Sequence, residues 1–469
     1  MLENPHIQSI HCIGIGGIGV GGVAELLNAK GYKVTGSDAY TNAMTKRLQA
    51  MGIPIYEGHK AEHVREADLV VYSSAIQESN PEIQAARELG IPVIKRAQML
   101  AELMQNKISI AVSGTHGKTT TTGMAAYVLD QANASPSFMI GGYLNGYASP
   151  SQFGKGEHFV VEADESDASF LFLSSNISIV TNIDADHLET YDGNFSKLEK
   201  TFVNFLNKLP DEGLAILEMD DPTVCRVAES IHARHVFYGE RPEADYQLLN
   251  FQQTGLQSQF TVRRKNKASL NVILNMPGKH NALNAIAIIA LADELKLEEA
   301  AVLRALKTFP GTQRRFFVHG EIEFEKGSAL VIDDYGHHPS EIKATLDAAR
   351  RAFPHQRLVL AYQPHRYTRT RDLMDSFAET LSQADVLILL GVYSAGEQPI
   401  EGADSYALCH AIEQLGMCSP ILVPQLENLM SQLHHTVQPN DVVILQGAGS
   451  IGGIAASLSA QKAVLVESP

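Results

Sequence analysis

The chain has 469 residues, which at about 150 residues per domain predicts roughly three domains. Hydrophobic residues are 45% of it and charged ones 19%, excluding wholesale disorder, and 37 basic against 53 acidic residues leave a net charge of −16, excluding a polyanion-binding surface spread over the molecule. The richest apolar run, around 282–292, is broken by Asn284 and then Asp293, short of a membrane helix, and Met1-Leu2-Glu3-Asn4-Pro5 lacks the basic start and apolar block of a secretory signal.

Short β-branched runs alternate with helical patterns, the signature of α/β domains on largely parallel sheets. Strands are predicted at 10–14, 69–73, 108–113, 159–163, 177–182, 330–334, 358–362, 386–390 and 442–446. A helix over 97–104 closes a first group of elements at the polar Gln105-Asn106-Lys107 step. The second group runs to Gln313 and includes, within 246–275, three alternating runs that read as antiparallel strands; a compact α/β unit follows from Arg314. Cys12, Cys225, Cys409 and Cys418 form no C-x-x-C pair and read as idle thiols of a cytoplasmic chain.

The predicted strand 10–13 leads into Gly14-Ile15-Gly16-Gly17-Ile18-Gly19, then a helix over 23–29 and a second strand ending at Asp38. Gly14, Gly16 and Gly19 fit the G-x-G-x-x-G turn, in which missing side chains let backbone N–H groups approach a diphosphate, and Asp38 falls near the position of a ribose-binding carboxylate. Both a dinucleotide oxidoreductase and a bare strand-to-helix turn fit these residues. Gly447-Ala448-Gly449-Ser450-Ile451-Gly452 matches the same pattern, but too little chain follows it for the full unit, so packing explains it better.

A second loop is more specific. Strand 108–113 runs into Gly114-Thr115-His116-Gly117-Lys118-Thr119-Thr120, followed by a helix through Leu129. Lys118 has the reach for β- and γ-phosphates, Thr119 offers a hydroxyl to Mg²⁺, and loop N–H groups make an anion nest at a helix start, so ATP is the expected ligand. The loop is shorter than the standard form, because Val112 stands where its first glycine would be. Further on come Glu162-Ala163-Asp164-Glu165-Ser166-Asp167 and Asn182-Ile183-Asp184-Ala185-Asp186-His187, each at the end of a predicted strand and so beside the phosphate loop in a parallel sheet. Glu162 is the candidate ligand of a first metal ion, with Thr119, and His187 of a second; Asp164, Glu165 and Asp167 read as a solvated acidic loop.

In this order the motifs resemble the Mur ligase family of peptidoglycan precursor synthesis, nearly end to end. His11-Cys12-Ile13-Gly14-Ile15-Gly16-Gly17, the 114–120 loop and both acidic clusters carry the likeness, with His280-Asn281-Ala282-Leu283-Asn284, Arg314-Arg315-Phe316, Asp333-Asp334-Tyr335-Gly336-His337-His338-Pro339 and Gln363-Pro364-His365-Arg366-Tyr367-Thr368-Arg369-Thr370-Arg371. The resemblance implies an α/β, three-domain Mur ligase architecture: an N-terminal Rossmann-like, UDP-sugar-binding domain (1–106), a central P-loop ATPase domain (107–313) and a C-terminal Rossmann-like domain (314–469). It assigns Gly14, Gly16, Gly17, Gly19, Asp38 and Ser73 to the UDP-sugar instead of NAD. ATP would be held by Gly114, Thr115, His116, Gly117, Lys118, Thr119 and Thr120, with His280, Asn281 and Asn284 at adenine and ribose and Arg315 and Asp334 near the nucleotide. Tyr335, His337, Arg366 and Arg369 would face the substrates, and Lys118, His187, Arg366 and Arg369 are the catalytic candidates.

The branch most similar to this sequence adds L-alanine to UDP-N-acetylmuramate through an acyl phosphate, with ATP and Mg²⁺ (one or two ions, Mn²⁺ as a substitute). A recycling branch attaches a whole tripeptide but usually carries a cysteine and a bulky residue in the opening glycine loop. Several relatives also use a carbamylated lysine 14 or 15 residues after the metal histidine; Thr201 and Phe202 stand there, so none is expected. His337 and His338, being adjacent, make a poor shared chelate, while Arg366, Arg369 and Arg371 offer a positive focus for a carboxylate or phosphate, Arg371 reading also as a surface salt bridge. Small-molecule substrates, no nucleic acid, no membrane insertion and a monomer or weak homodimer complete the expectation. An NAD oxidoreductase leaves the 114–120 loop unexplained, and a nucleotide-gated binding protein would bind ATP without forming an amide.

Overall fold

Runs of apolar residues such as Leu69–Tyr72, Ile177–Val180 and Val442–Gln446 are buried along their whole length, as parallel strands covered by helices on both faces must be. Each Leu, Ile or Val buried in this way contributes about 1.5–3 kcal/mol. The computed structural model describes residue 2 and residues 4–466, so residues 1, 3 and 467–469 of the predicted domains lie outside the described residues. All nine predicted strands are present, eight of them within two residues at each end; the one predicted at 330–334 starts three residues earlier, at Gly327.

Three sheets form. The first is five-stranded and parallel, in the order Ile55–Glu57, Lys33–Asp38, Ser9–Ile13, Leu69–Tyr72, Val93–Lys95. Its chain leaves the central strand Ser9–Ile13 in one direction and returns on the other side at Leu69–Tyr72, which makes a switch point where the loops after both strands splay apart. The helix after the glycine loop spans Ile18–Ala29, five residues earlier than the predicted start at Val23, because Gly17 already takes the N-cap conformation and Gly21 N–H donates to Gly17 O.

The second sheet has ten strands, with Ile108–Ser113 between Ile177–Val180 on one side and His158–Glu162 on the other. Because all three run parallel, the phosphate loop, the first acidic cluster and the Asn182 turn emerge side by side at one sheet edge. The three strands predicted within 246–275, Tyr246–Thr254, Gln257–Arg264 and Lys267–Leu274, extend the far end of this sheet. Helix Phe195–Leu206 buries Leu198, Phe202, Phe205 and Leu206, its helical spacing setting Phe202 and Phe205 against Phe170 at ring distances of 5.2 and 4.6 Å.

The third sheet runs Phe317–Phe324, Gly327–Asp334, Val442–Gln446, Leu358–Tyr362, Val386–Leu390, Ile421–Val423, antiparallel only in its first pair. Backbone contacts divide the chain into two compact units. One holds the chain up to Asn250 with 260–273 and 282–310; the other holds 251–259, 274–281 and everything from Gly311 onward. Within the first unit the buried Glu25 of helix Ile18–Ala29 accepts from Ser151 Oγ at 2.9 Å and from Ser149 Oγ, tying the glycine-loop helix to the ten-stranded sheet.

Candidate active site

The phosphate loop is held open by its neighbours. Thr115 N–H donates to Asn182 O (3.1 Å), His116 N–H to Asn182 Oδ1 (2.8 Å), and Asn182 Nδ2 in turn to His116 O (3.0 Å). Thr181 Oγ1 donates to the same carbonyl at 2.6 Å, and His116 Nε2 lies 3.1 Å from Asp184 Oδ2. The N–H groups of Thr115 and His116 are therefore committed within the protein. Those left for phosphate are the first-turn N–H groups of helix Lys118–Gln131, at Lys118, Thr119 and Thr120, which helix geometry leaves without an internal acceptor. Gly114 (φ +125°) and Gly117 (φ +84°) adopt backbone that other residues resist, and a Cβ on Gly114 would stand 2.2 Å from Thr181 Oγ1.

At the start of that helix Thr119 Oγ1 donates to Glu162 Oε1 at 3.1 Å, while Gly141 N–H binds Glu162 Oε2 at 2.8 Å. The two predicted ligands of the first ion are thus in contact, a hydroxyl and a carboxylate being the hard oxygen donors that Mg²⁺ takes. Gly141 closes over them so tightly that a Cβ there would meet Glu162 Oε1 at 2.6 Å. The predicted ligand of the second ion, His187, has left-handed backbone (φ +54°), with Nε2 3.5 Å from Asp186 Oδ2 and Nδ1 3.8 Å from Glu189 Oε1. At the positions of the relatives' carbamylated lysine, Phe202 is buried and the Thr201 hydroxyl donates to Lys197 O. Lys197 itself pairs with Asp192 at 2.6 Å.

The acidic run after Glu162 is not the solvated loop its composition suggested. Glu165 is only 2% exposed and accepts from Lys118 Nζ at 2.8 Å; Lys118 also donates to Gly114 O (2.7 Å) and Thr115 O (3.1 Å). Burial pushes the Glu165 carboxyl up to about 7, with Lys118 opposing and Asp164 adding to the rise. Burial works against the charge on Lys118 as well, yet Glu165, Asp164 and Glu162 outweigh it and hold the ammonium above its usual range. Tyr191, itself buried, donates its hydroxyl to the Glu165 carbonyl and so packs over this loop.

In the first sheet Gly14 and Ile15 N–H donate to Ser37 O, and Ser73 lies against Gly14 at the switch point. Asp38 does not project free as a ribose acceptor: Oδ2 accepts Gly16 N–H at 2.7 Å, so it braces the glycine loop. Gly17 is the helix N-cap, and Gly19 lies under Arg96, whose Cδ a Cβ there would meet at 2.9 Å. The half-buried Arg96 has no hydrogen bond or ion pair among the described residues; burial would raise the Asp164 carboxyl, but Lys118, hydrogen bonds from Ser166 and, least, the Arg96 charge outweigh it and hold it below its usual range. Sequence reasoning missed Arg96, Asn182 and Gly141. Arg96 opens the helix Arg96–Met104, and only the first sheet's order brings it over Gly19.

In the second unit two guanidinium groups lie over the Tyr335 ring, Arg314 at 5.0 Å and Arg315 at 5.1 Å. Asp334, expected near the nucleotide, accepts from Phe316 N–H (2.8 Å), Gly336 N–H (2.8 Å) and Gln446 Nε2 (2.9 Å), so it knots this loop together; burial raises its pKa. His337 and His338 do diverge: the His338 ring caps helix Pro339–Ala352, while the His337 ring lies 5.5 Å from His365. Arg369, 6% exposed, donates to His365 O at 3.2 Å, Arg366 Nη1 is 3.9 Å from Glu397, and Arg371 forms a surface pair with Asp372 at 2.7 Å. The 447–452 turn is filled by protein groups, Arg314 Nη2 donating to Gly447 O at 2.5 Å and Ile451 N–H to Gln363 Oε1 at 3.0 Å.

Helix Lys279–Glu294 carries the remaining candidates. His280 is on its exposed first turn, and Asn281 Nδ2 caps Pro277 O at 2.8 Å. One turn on, the buried Asn284 lies where a Cβ on Gly117 would meet its Oδ1 at 3.2 Å, placing an amide against the phosphate loop. The four cysteines are unpaired, and burial pushes the Cys12 thiol up to about 12.

A parallel strand, a glycine loop and a helix that begins Lys-Thr, with a carboxylate from the adjacent strand on that threonine, define a P-loop type of nucleotide site. Family models match 9–108 as "Mur ligase family, catalytic domain", 112–292 as the Mur ligase middle domain and 314–449 as the Mur ligase glutamate ligase domain. The chain belongs to the Mur ligase family. It is 50% identical over 458 residues to the UDP-N-acetylmuramate–L-alanine ligase of Coxiella burnetii, covering 97% of this chain and 98% of that one. Among solved structures it resembles the UDP-N-acetylmuramate-alanine ligase of Thermotoga maritima, with TM-score 0.82, 31% identity and coverage of 97% of this chain and 99% of the other. A murein peptide ligase from Psychrobacter arcticus is also similar, with TM-score 0.71, 26% identity and coverage of 96% and 98%.

Proposed function

We propose that this enzyme couples ATP cleavage to amide formation between the lactyl carboxylate of UDP-N-acetylmuramate and L-alanine, in three domains bounded near 106/107 and 313/314. The observation that carries the chemistry is the convergence of Lys118, Thr119 and Glu162 at one sheet edge. The choice of L-alanine rests on 50% identity across 97% of the chain to ligases of that name.

A carboxylate is a poor electrophile at neutral pH and needs a leaving group. In this reading the first turn of helix Lys118–Gln131 and the Lys118 ammonium hold the β- and γ-phosphates. The substrate carboxylate oxygen bonds to the γ-phosphorus as the bond to the β-bridging oxygen breaks, ADP leaves, and Lys118 offsets the charge that develops. The alanine amine then bonds to the acyl carbon, inorganic phosphate departs, and the amine proton is lost. Mg²⁺, or Mn²⁺ in its place, held by Thr119 and Glu162 with His187 for a second ion, would neutralise phosphate oxygens. Gly14, Gly16, Gly17, Gly19 and Ser73 would receive the UDP-sugar diphosphate, with Asp38 bracing their loop and the unpaired Arg96 supplying positive charge. Arg366 and Arg369 would bind acidic substrate groups, His337 and Tyr335 lining their approach.

Among the described residues no helix is long and apolar enough to cross a membrane; we infer further that the enzyme acts on its small molecules in the cytoplasm, as a monomer or weak homodimer. The test is phosphate release and product mass with ATP, UDP-N-acetylmuramate and either L-alanine or tripeptide. Release with L-alanine is expected; release with tripeptide alone would assign the recycling reaction instead.

A further inference from the structure

Taking residues 114–120 as the polyphosphate site, we propose that Glu165 is a positioning residue for Lys118: it parks the ammonium in the nucleotide-free enzyme, and when polyphosphate claims the lysine the abandoned carboxylate takes up a proton from solvent.

Donor counting gives the first reason. An ammonium has three N–H donors, and in Lys118 all three are engaged, by Gly114 O at 2.7 Å, Thr115 O at 3.1 Å and Glu165 Oε1 at 2.8 Å. Polyphosphate can be gripped only by breaking some of these contacts. The charged partner is the one whose loss changes the electrostatics of the site, because the two carbonyls are neutral.

The second reason lies on the carboxylate. Glu165 is 2% exposed, and its Oε2 is buried without a hydrogen-bond partner among the described residues. The charged and titratable groups that face it are Lys118 on the facing helix, Asp164 on its own loop and Tyr191 across the loop; Glu162 acts on Lys118 and Asp167 on Tyr191. Arg96 reaches only Asp164 in this set. Lys118 is thus the cation that compensates Glu165. A buried carboxylate that loses its counter-ion is neutralised by a proton, because its desolvation is otherwise uncompensated. The group is poised for this, since burial already holds it at about 7 with the lysine in place. Departure of Lys118 moves it further up, so binding and proton uptake are linked above pH 7.

Glu165 in this role touches no reacting atom. A merely structural glutamate would leave the proton balance of nucleotide binding unchanged.

The experiment is calorimetric titration of the full-length protein with Mg²⁺ and the non-hydrolysable nucleotide AMP-PNP at pH 7.5, in buffers of low and high ionisation enthalpy, repeated from pH 6.5 to 8.5. The wild type is expected to show a buffer-dependent enthalpy that reports proton uptake, and an affinity that weakens with rising pH by up to about tenfold per unit. E165Q should bind at least as tightly at pH 8.5 and lose this part of the buffer and pH dependence, while E165D should recover part of it. Titration of the nucleotide's own terminal phosphate is common to all three proteins and cancels in the comparison. Binding with the same proton uptake in wild type and E165Q, or with none in the wild type, would overturn the role given to Glu165. The wild-type measurement is decisive against it even if E165Q fails to fold. No binding of AMP-PNP to the wild type would instead sink the nucleotide reading itself.

Discussion

Replacing Asn182 by Ala should weaken nucleotide binding more than it weakens the fold. The side-chain amide accepts His116 N–H at 2.8 Å and donates to His116 O at 3.0 Å, so one residue fixes both backbone polar groups of His116, just before the Gly117-Lys118 turn. A typical internal hydrogen bond contributes about 0.5–1.5 kcal/mol net, so two lost bonds amount to about 2 kcal/mol, or roughly 30-fold in a binding constant if the ordered loop is what binds. The backbone bond from Thr115 N–H to Asn182 O and the bond from Thr181 Oγ1 to His116 O survive the substitution, which limits the effect to the two side-chain bonds. Asn182→Asp should fall between the two, keeping the acceptor but losing the donor and adding negative charge beside the phosphates. The assay is AMP-PNP affinity with Mg²⁺, with thermal melting of each variant as the control on folding. An N182A protein that melts like wild type and binds nucleotide within threefold of it would refute the reasoning, because the loop would then be ordered by something other than this clamp.

Lys118→Ala should reduce kcat for ADP formation by a factor of 10³ or more, on the order of 4 kcal/mol of transition-state stabilisation, measured by coupled assay. Arg96→Ala should raise the KM for UDP-N-acetylmuramate about tenfold while leaving the KM for ATP within twofold, since Arg96 lies against Gly19 of the opening glycine loop; an equal rise in both would assign it to general folding. Glu82, fully buried, is surrounded by His63 Nδ1 (2.6 Å), His59 Nδ1 (3.0 Å), His11 Nε2 (3.6 Å) and Ser37 Oγ (2.6 Å). Burial alone would raise its pKa, but hydrogen bonds from His11, Ser37 and His63 outweigh it and hold the carboxyl at about 2. A depressed carboxyl stabilises the fold above its unfolded value near 4.5 and loses that contribution as pH falls towards 2, here about 3 kcal/mol, so urea melts between pH 5 and 2 should steepen in wild type relative to E82Q. Cys12, buried and with its thiol pushed up to about 12, should resist maleimide at pH 7.5 where the half-buried Cys225, Cys409 and Cys418 react, as peptide mass mapping would show.

Contiguous features were legible in the chain before any folding was considered. The phosphate loop needs its glycines, lysine and threonine within a few residues of a strand end and a helix start, and a parallel strand buried on both faces needs an unbroken apolar run, so 108–120 and the nine strands were legible one segment at a time. Asp164 and Glu165 show the limit. Adjacent acids have the same composition whether exposed or not, and only in three dimensions do Tyr191 over the loop and Lys118 on the facing helix meet Glu165. Asn182, Gly141 and Arg96 act on residues 66, 21 and 77 positions away, through neighbours set by strand order. Asp38 and Asp334 likewise look like free carboxylates in one dimension and are loop braces in three, because a backbone N–H facing an acid is a partner that no spacing in the chain announces.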